Sequence, residues 1–117
     1  FRKISIYKLI NKSQINQLEK RIEKLLEKLV RIKPMRPGSI SKQYRDRENQ
    51  TGVYYQLSYT HKMKSRTEHV WPEHVKELRA ETAEYKKFKQ WTGELIDLSI
   101  ELSKGKIARL RNQSADS

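Results

Sequence analysis

Six apolar residues, Ile15, Leu18, Ile22, Leu25, Leu29 and Ile32, recur at steps of three, four, three, four and three. This is the a/d repeat of a coiled-coil seam, and it predicts a helix over 13–32. Ser13 is of a type that caps a helix start. Pro34 sets the other limit, because the residue before a proline avoids the helical region. A helix of this length is not stable alone in water, so its seam needs a partner. Further along, Trp91, Leu95, Leu98 and Leu102 repeat the same spacing. They lie in a second helix expected over about 73–103 and running on towards Arg111, with Val75, Leu78, Tyr85 and Phe88 earlier on its face. Pro72 suits a first helical turn, and Glu73 and Glu77 suit its positive end. Gly93 is a candidate bend and Gly105 a candidate terminator. The second seam is expected to pack antiparallel on the first, within the chain or in a homodimer or other coiled-coil partnership. Leu26 and Val30, and Ile96 and Ile100, widen the two stripes beyond one contact surface.

One stretch breaks the helical period. In Thr51 to Trp71, Val53, Tyr55, Leu57 and Tyr59 alternate with Tyr54, Gln56, Ser58 and Thr60. Period two with tyrosine, valine and threonine is the signature of a strand. A second run, Ser65 to Trp71, sets Thr67, His69 and Trp71 against Arg66, Glu68 and Val70. Two such runs in close succession predict a β-hairpin. The connection His61-Lys62-Met63-Lys64 lacks the Gly or Asn of a tight two-residue turn, so a longer, irregular loop is expected. Residues 33–52, punctuated by Pro34, Pro37, Gly38, Ser39, Ser41, Asn49 and Gly52, read as loop.

Charge narrows the function. The 117 residues carry a formal net charge of +12, and hydrophobic residues make up only 35%, against the usual ~45–50%. Residues 1–36 hold eleven Lys and Arg against three Glu. Arg2, Lys3, Lys8 and Lys12 form a candidate basic arm on an N-terminal twelve residues that read as short helix or extended segment. Arg36, Lys42, Arg45 and Arg47 make the loop basic, and Lys62, Lys64 and Arg66 tip the hairpin. A two-stranded ribbon can enter a major groove, and cationic tips clamp phosphates. These seven residues are the candidate nucleic-acid contacts, with DNA expected over RNA. The bland reading is a solvated hairpin whose lysines discourage edge pairing. The tyrosines read first as core, from their strand alternation.

Other classes are disfavoured. The chain has no cysteine, so neither a disulfide framework nor a thiolate metal site is possible. His61, His69 and His74 lack a set of metal ligands around them. No phosphate-cradling glycine loop, zinc-protease pair or nucleophile elbow occurs. An enzyme, a cofactor and a metal are therefore not expected. No apolar run is long enough to span a membrane. The chain opens on Phe1 rather than Met, so a trimmed N-terminus is expected, and the location expected is the cytoplasm.

The segments MRPGSISKQYR (35–45), GVYYQLSYT (52–60), the basic turn and strand KMKSRT (62–67) and the Pro-Glu helix start resemble an uncharacterised prokaryotic family. Its members share a PGS-x-x-x-QY segment, a GPYYxLSY strand, a basic hairpin return and a long C-terminal helix. The resemblance covers about Met35 to Leu102. It implies no biochemical activity, and by association with transposases it implies a mobile-element context. Two departures stand out. The family's cysteine cluster between QY and GPYY is replaced here by Arg45 to Thr51, so no zinc role transfers. Its turn glycine is replaced by Met63.

The expected fold is therefore α+β and mainly helical: an N-terminal coiled-coil-type helix, a central β-hairpin and a long C-terminal helix antiparallel to the first. Its segments are 1–33 (arm and helix), 34–52 (basic loop), 53–111 (hairpin and long helix) and 112–117 (disordered tail), together one structural unit. The expected function is non-enzymatic nucleic-acid binding, as an accessory of a mobile genetic element. The alternative is a coiled-coil adaptor that assembles proteins through Ile15, Leu18, Ile22, Leu25, Leu29, Ile32, Trp91, Leu95, Leu98 and Leu102.

Overall fold

The computed structural model describes residues 11–116, and side chains as far as residue 113. The basic arm at Arg2, Lys3 and Lys8 lies outside the described residues. The elements run α1 (Lys12–Val30), β1 (Ser39–Asp46), β2 (Thr51–His61), β3 (Lys64–Val70), a 3-10 turn (Pro72–His74) and α2 (Val75–Asp116). The fold is α+β and mainly helical. The described residues form two compact units: 11–31 with 90–116, and 32–89.

In the first unit, Leu18, Leu25 and Leu98 are buried together, with Ile15, Ile22, Trp91, Leu95 and Leu102 packed around them. The Lys28 ammonium, near the end of α1, sits 5.5 Å from the Trp91 ring centre, as antiparallel packing of the two helices requires. Asn11, not Ser13, caps α1. Its side chain accepts from the Gln14 N–H, and the Gln14 side chain accepts from the Asn11 N–H. This reciprocal box satisfies two otherwise unpaired donors, so the helix starts one residue before Ser13. It ends at Val30, which leaves Ile32 outside the helix and in the second unit; Leu29 is half-buried. Gly105 does not terminate α2. It is buried within the helix, which continues through the polar 112–116 to Asp116.

The second unit holds a three-stranded antiparallel sheet in the order β1-β2-β3. Two expectations fail here. Ser39–Asp46, read as loop, is a strand paired with β2 from Ser39↔Ser58 to Asp46↔Thr51. Only Ile40 and Tyr44 are bulky and apolar in it, so it has no hydrophobic run of its own. Its ladder comes from the tyrosine strand alongside. The β2–β3 connection is a two-residue turn, closed by the His61↔Lys64 pair. Lys62 and Met63 have φ of 51° and 64°, the doubly left-handed geometry that twists with the strands and ordinarily recruits Asn-Gly.

The register assigns the two faces. Ile40, Lys42, Tyr44, Val53, Tyr55, Leu57, Tyr59, Arg66, Glu68 and Val70 share one, since directly opposed residues point the same way. Leu57 is 0% exposed and Val70 2%, which makes this the covered face. On the α2 segment of the same unit, Thr82 is buried, and Val75, Leu78 and Tyr85 are half-buried. The chain between α1 and β1 is strapped down: the Lys33 N–H donates to Glu84 at 2.9 Å, and the Arg36 N–H to the Glu81 carbonyl at 3.1 Å.

Candidate functional site

The other face of the sheet carries Ser39, Ser41, Gln43, Arg45, Tyr54, Gln56, Ser58, Thr60, Ser65, Thr67 and His69, with Trp71 continuing β3. No Asp or Glu stands on it. Strand period two explains this: Asp46 and Glu68 fall on the covered-face parity. Hydroxyls line the end near the hairpin turn, where the Thr60 and Ser65 oxygens are 3.1 Å apart and the Ser58 and Thr67 oxygens 3.5 Å.

Three rings group at the other end of β3. Tyr54 and His69 lie nearly parallel with centres 6.4 Å apart, and His69 meets Trp71 edge-on at 4.7 Å. Trp71 is 60% exposed, His69 is exposed and Tyr54 is half-buried. The rings therefore lie on the open face, away from Leu57 and Val70. Period-two alternation already separated Tyr54 from Tyr55 and Tyr59. It did not indicate which set faces outward.

The seven candidate cations do not form one patch. Arg45 stands opposite Gly52, whose φ of +71° and missing side chain leave room for the Arg45 stem; a Cβ there would lie 3.0 Å from the Arg45 Cβ. Arg47 is in the adjacent turn. In that turn Asp46 accepts from the Asn49 side chain at 2.8 Å and backbone at 3.3 Å, and these bonds hold its carboxyl below the usual value. Lys62, Lys64 and Arg66 sit at the far end of β2. At roughly 3.3 Å per residue, the two groups are about 30 Å apart. The register sends Lys64 and Arg66 to the covered-face parity and leaves Lys62 in the turn. Lys42 is exposed on that parity, its ammonium 5.6 Å from the Tyr44 ring centre. Arg36 is engaged within the fold. Its guanidinium donates to the Glu68 carboxylate and lies 5.2 Å from the Tyr59 ring centre. In the other unit, Lys20, Arg21 and Lys24 of α1, and Arg31 just after it, are exposed.

Among the described residues, no group of His, Asp and Glu is arranged to hold a metal ion. No described helix is long and apolar enough to cross a membrane.

The open sheet face therefore carries an exposed ring group and Arg45, and no carboxylate. Compared with protein families, residues 15–80 match the domain of unknown function DUF6788. The match spans more than half of the chain, from α1 through the sheet into the start of α2, and the protein belongs to this family. No curated protein matches the chain, and no solved structure matches it.

Proposed function

We propose that this protein binds nucleic acid without catalysing a reaction, in the cytoplasm, as an accessory of a mobile genetic element. The observation that carries the binding is the open sheet face: it has no carboxylate to repel phosphate, it carries three exposed or half-buried rings, and Arg45 stands on it diagonal to one of them, Tyr54. The net charge of +12 supplies long-range attraction. The basic ends of β2 are the phosphate contacts, and DNA is the expected partner over RNA. The mobile-element context rests on the resemblance alone.

A salt series with duplex DNA, single-stranded DNA and structured RNA tests the reading. Counterion release makes log affinity fall by about 0.7–0.9 per log of salt for each phosphate contact. Reversing Arg45 and Arg47 to Glu should weaken binding and flatten that slope, and so should reversing Lys62, Lys64 and Arg66. Reversing Lys104 and Lys106 should do neither. Absence of salt-sensitive binding to any of the three ligands sinks the proposal.

A second reading is favoured by a stripe on α2. Ile96, Ile100, Ile107 and Leu110, with Ser103 between them, keep steps of four and three, and the four apolar residues are 45–62% exposed. This stripe is rotated by roughly 130° from Leu95, Leu98 and Leu102, at ~100° per residue. Asp97 borders its first half, and Lys104 and Lys106 border its second, each about 80–100° around the helix from the stripe. Antiparallel pairing with a second copy sets acidic half against basic half, with Asp97 near Lys104 of that copy. An adaptor of this kind sediments at twice 14.0 kDa, and Ile100→Glu with Ile107→Glu returns it to monomer. A monomeric wild type at every concentration removes this reading.

A further inference from the structure

We propose that the open sheet face is a site for single-stranded nucleic acid, with bases stacked on Trp71 and Tyr54 and a phosphate on Arg45. The inference rests on the nucleic-acid reading and names the ligand class of the same surface.

Three observations converge on it. The first is that the rings are not structural core. Leu57 and Val70 fill that role on the opposite face, while Trp71 keeps 60% of its surface in water. A contiguous exposed group of rings rimmed by polar residues is the kind of patch that marks an interaction site. His69 meets Trp71 in a T-shaped contact at 4.7 Å, which covers at most one flat face of Trp71, and with 60% of its surface exposed Trp71 has a face left for another partner. Bases in a duplex are already stacked on one another, and only an unpaired strand offers a free π-face to such a ring.

The second is the chemistry around the rings. Gln43 pairs directly with Tyr54 in the ladder, and Gln56 with His69. Both amides share the open face with the rings and can donate to and accept from base edges. The Gln43 amide already donates to the Ser41 hydroxyl at 3.1 Å, which orients it along β1.

The third is charge. Arg45 lies on the same face, diagonal to Tyr54 in the ladder, with its stem running across Gly52. Diagonal neighbours are separated by roughly 7–8 Å, so one guanidinium lies within a nucleotide's reach of the nearest ring. No carboxylate on this face opposes a backbone passing over it. The surface thus combines stacking platforms with a cation, the pairing that sequence-tolerant single-strand binders use. DNA and RNA strands offer the same bases and phosphates to these groups.

Tryptophan fluorescence tests the site on the full chain. The protein has two tryptophans, and Trp91→Phe, in the helical unit, leaves Trp71 as the reporter. The probes are oligo-dT, oligo-rU and a DNA duplex of equal length. Saturable quenching by either single strand is expected, and the ratio of the two affinities tells DNA from RNA. Trp71→Ala should lower single-strand affinity about tenfold, within the range for one stacked base, and should leave duplex affinity unchanged. Trp71→Phe should restore most of the loss, which a merely structural defect would not allow. His69→Ala, at an exposed position, should weaken binding less. If duplex binds in a salt-sensitive way while single strands neither quench Trp71 nor depend on it, this site is overturned and the broader reading stands. If no nucleic acid binds, both fall.

Discussion

Arg36 and Glu68 form an ion pair across 32 residues of sequence, joining the strap before β1 to the middle of β3. The Arg36 hydrogen bond is the main cause that holds the Glu68 carboxyl below its ordinary value of 4.5, followed by a hydrogen bond from Tyr59. The same arginine donates its backbone N–H to Glu81 of α2. One residue therefore ties helix, strap and sheet within this unit.

The pair predicts a pH dependence. A carboxyl whose folded value is depressed contributes stability that is fully present above its unfolded value and lost as pH falls through the folded one. Both side chains are substantially exposed, so the contribution is about 0.5–1 kcal/mol. Glu68→Gln should lower the urea midpoint at neutral pH, and the difference from wild type should shrink to nothing below the folded value. A difference that persists in acid would assign the effect to packing.

The β2–β3 turn holds two non-glycine residues at positive φ. The left-handed conformation costs roughly 1–2 kcal/mol for a residue with a side chain. Met63 is 97% exposed, so its side chain returns little of that cost. Met63→Gly should therefore raise the melting temperature, with a gain of up to about 1 kcal/mol after glycine's extra unfolded-state entropy is subtracted. Thermal denaturation followed by circular dichroism reads this directly. An unchanged or lowered melting temperature would mean that Met63 makes a contact in solution.

The helical core predicts a contrast within α1. Leu25 is buried against Leu98 and its neighbours, whereas Val30, five residues on, is 84% exposed. Leu25→Asp should cost at least about 3 kcal/mol, because it deletes packed methyl groups and strands a carboxylate in an apolar seam. Val30→Asp should fall within about 0.5 kcal/mol of wild type. Denaturant unfolding of both variants checks the difference. Equal effects would contradict the packing.

Gly38 marks the entry to β1. It has a φ of +118°, and a Cβ there would lie 2.5 Å from the Ser58 carbonyl oxygen and 2.9 Å from the Tyr59 Cβ. Neither neighbour is the end of a flexible side chain. Gly38→Ala should destabilise the sheet by at least about 2 kcal/mol. Amide exchange along β1 should accelerate relative to that in α1, and uniform protection in both would count against this local reading.

Local pattern by itself determined α1, α2, β2 and β3. A face turned towards the core writes a period into an element's own residues: three and four at Leu18 to Leu25, two at Tyr55 to Tyr59. The total charge and the lack of cysteine were equally plain. What only the tertiary structure decided depends on residues distant in the chain. Ser39–Asp46 is a strand because β2 offers it a ladder, and backbone hydrogen bonds leave no mark on side-chain identity. The Asn11 cap was legible in principle from Gln14 three residues later, but Ser13 competed with it at the same level of sequence. Lys62 and Met63 accept positive φ because the ladder on either side, closed by His61 and Lys64, overrides the local preference of two residues. The cation set divides because a strand of eleven residues separates turns that are neighbours in sequence. The open-face rings were hidden for a related reason. Alternation separates Tyr54 from Tyr55, but only the burial of Leu57 and Val70 decides which of the two faces water.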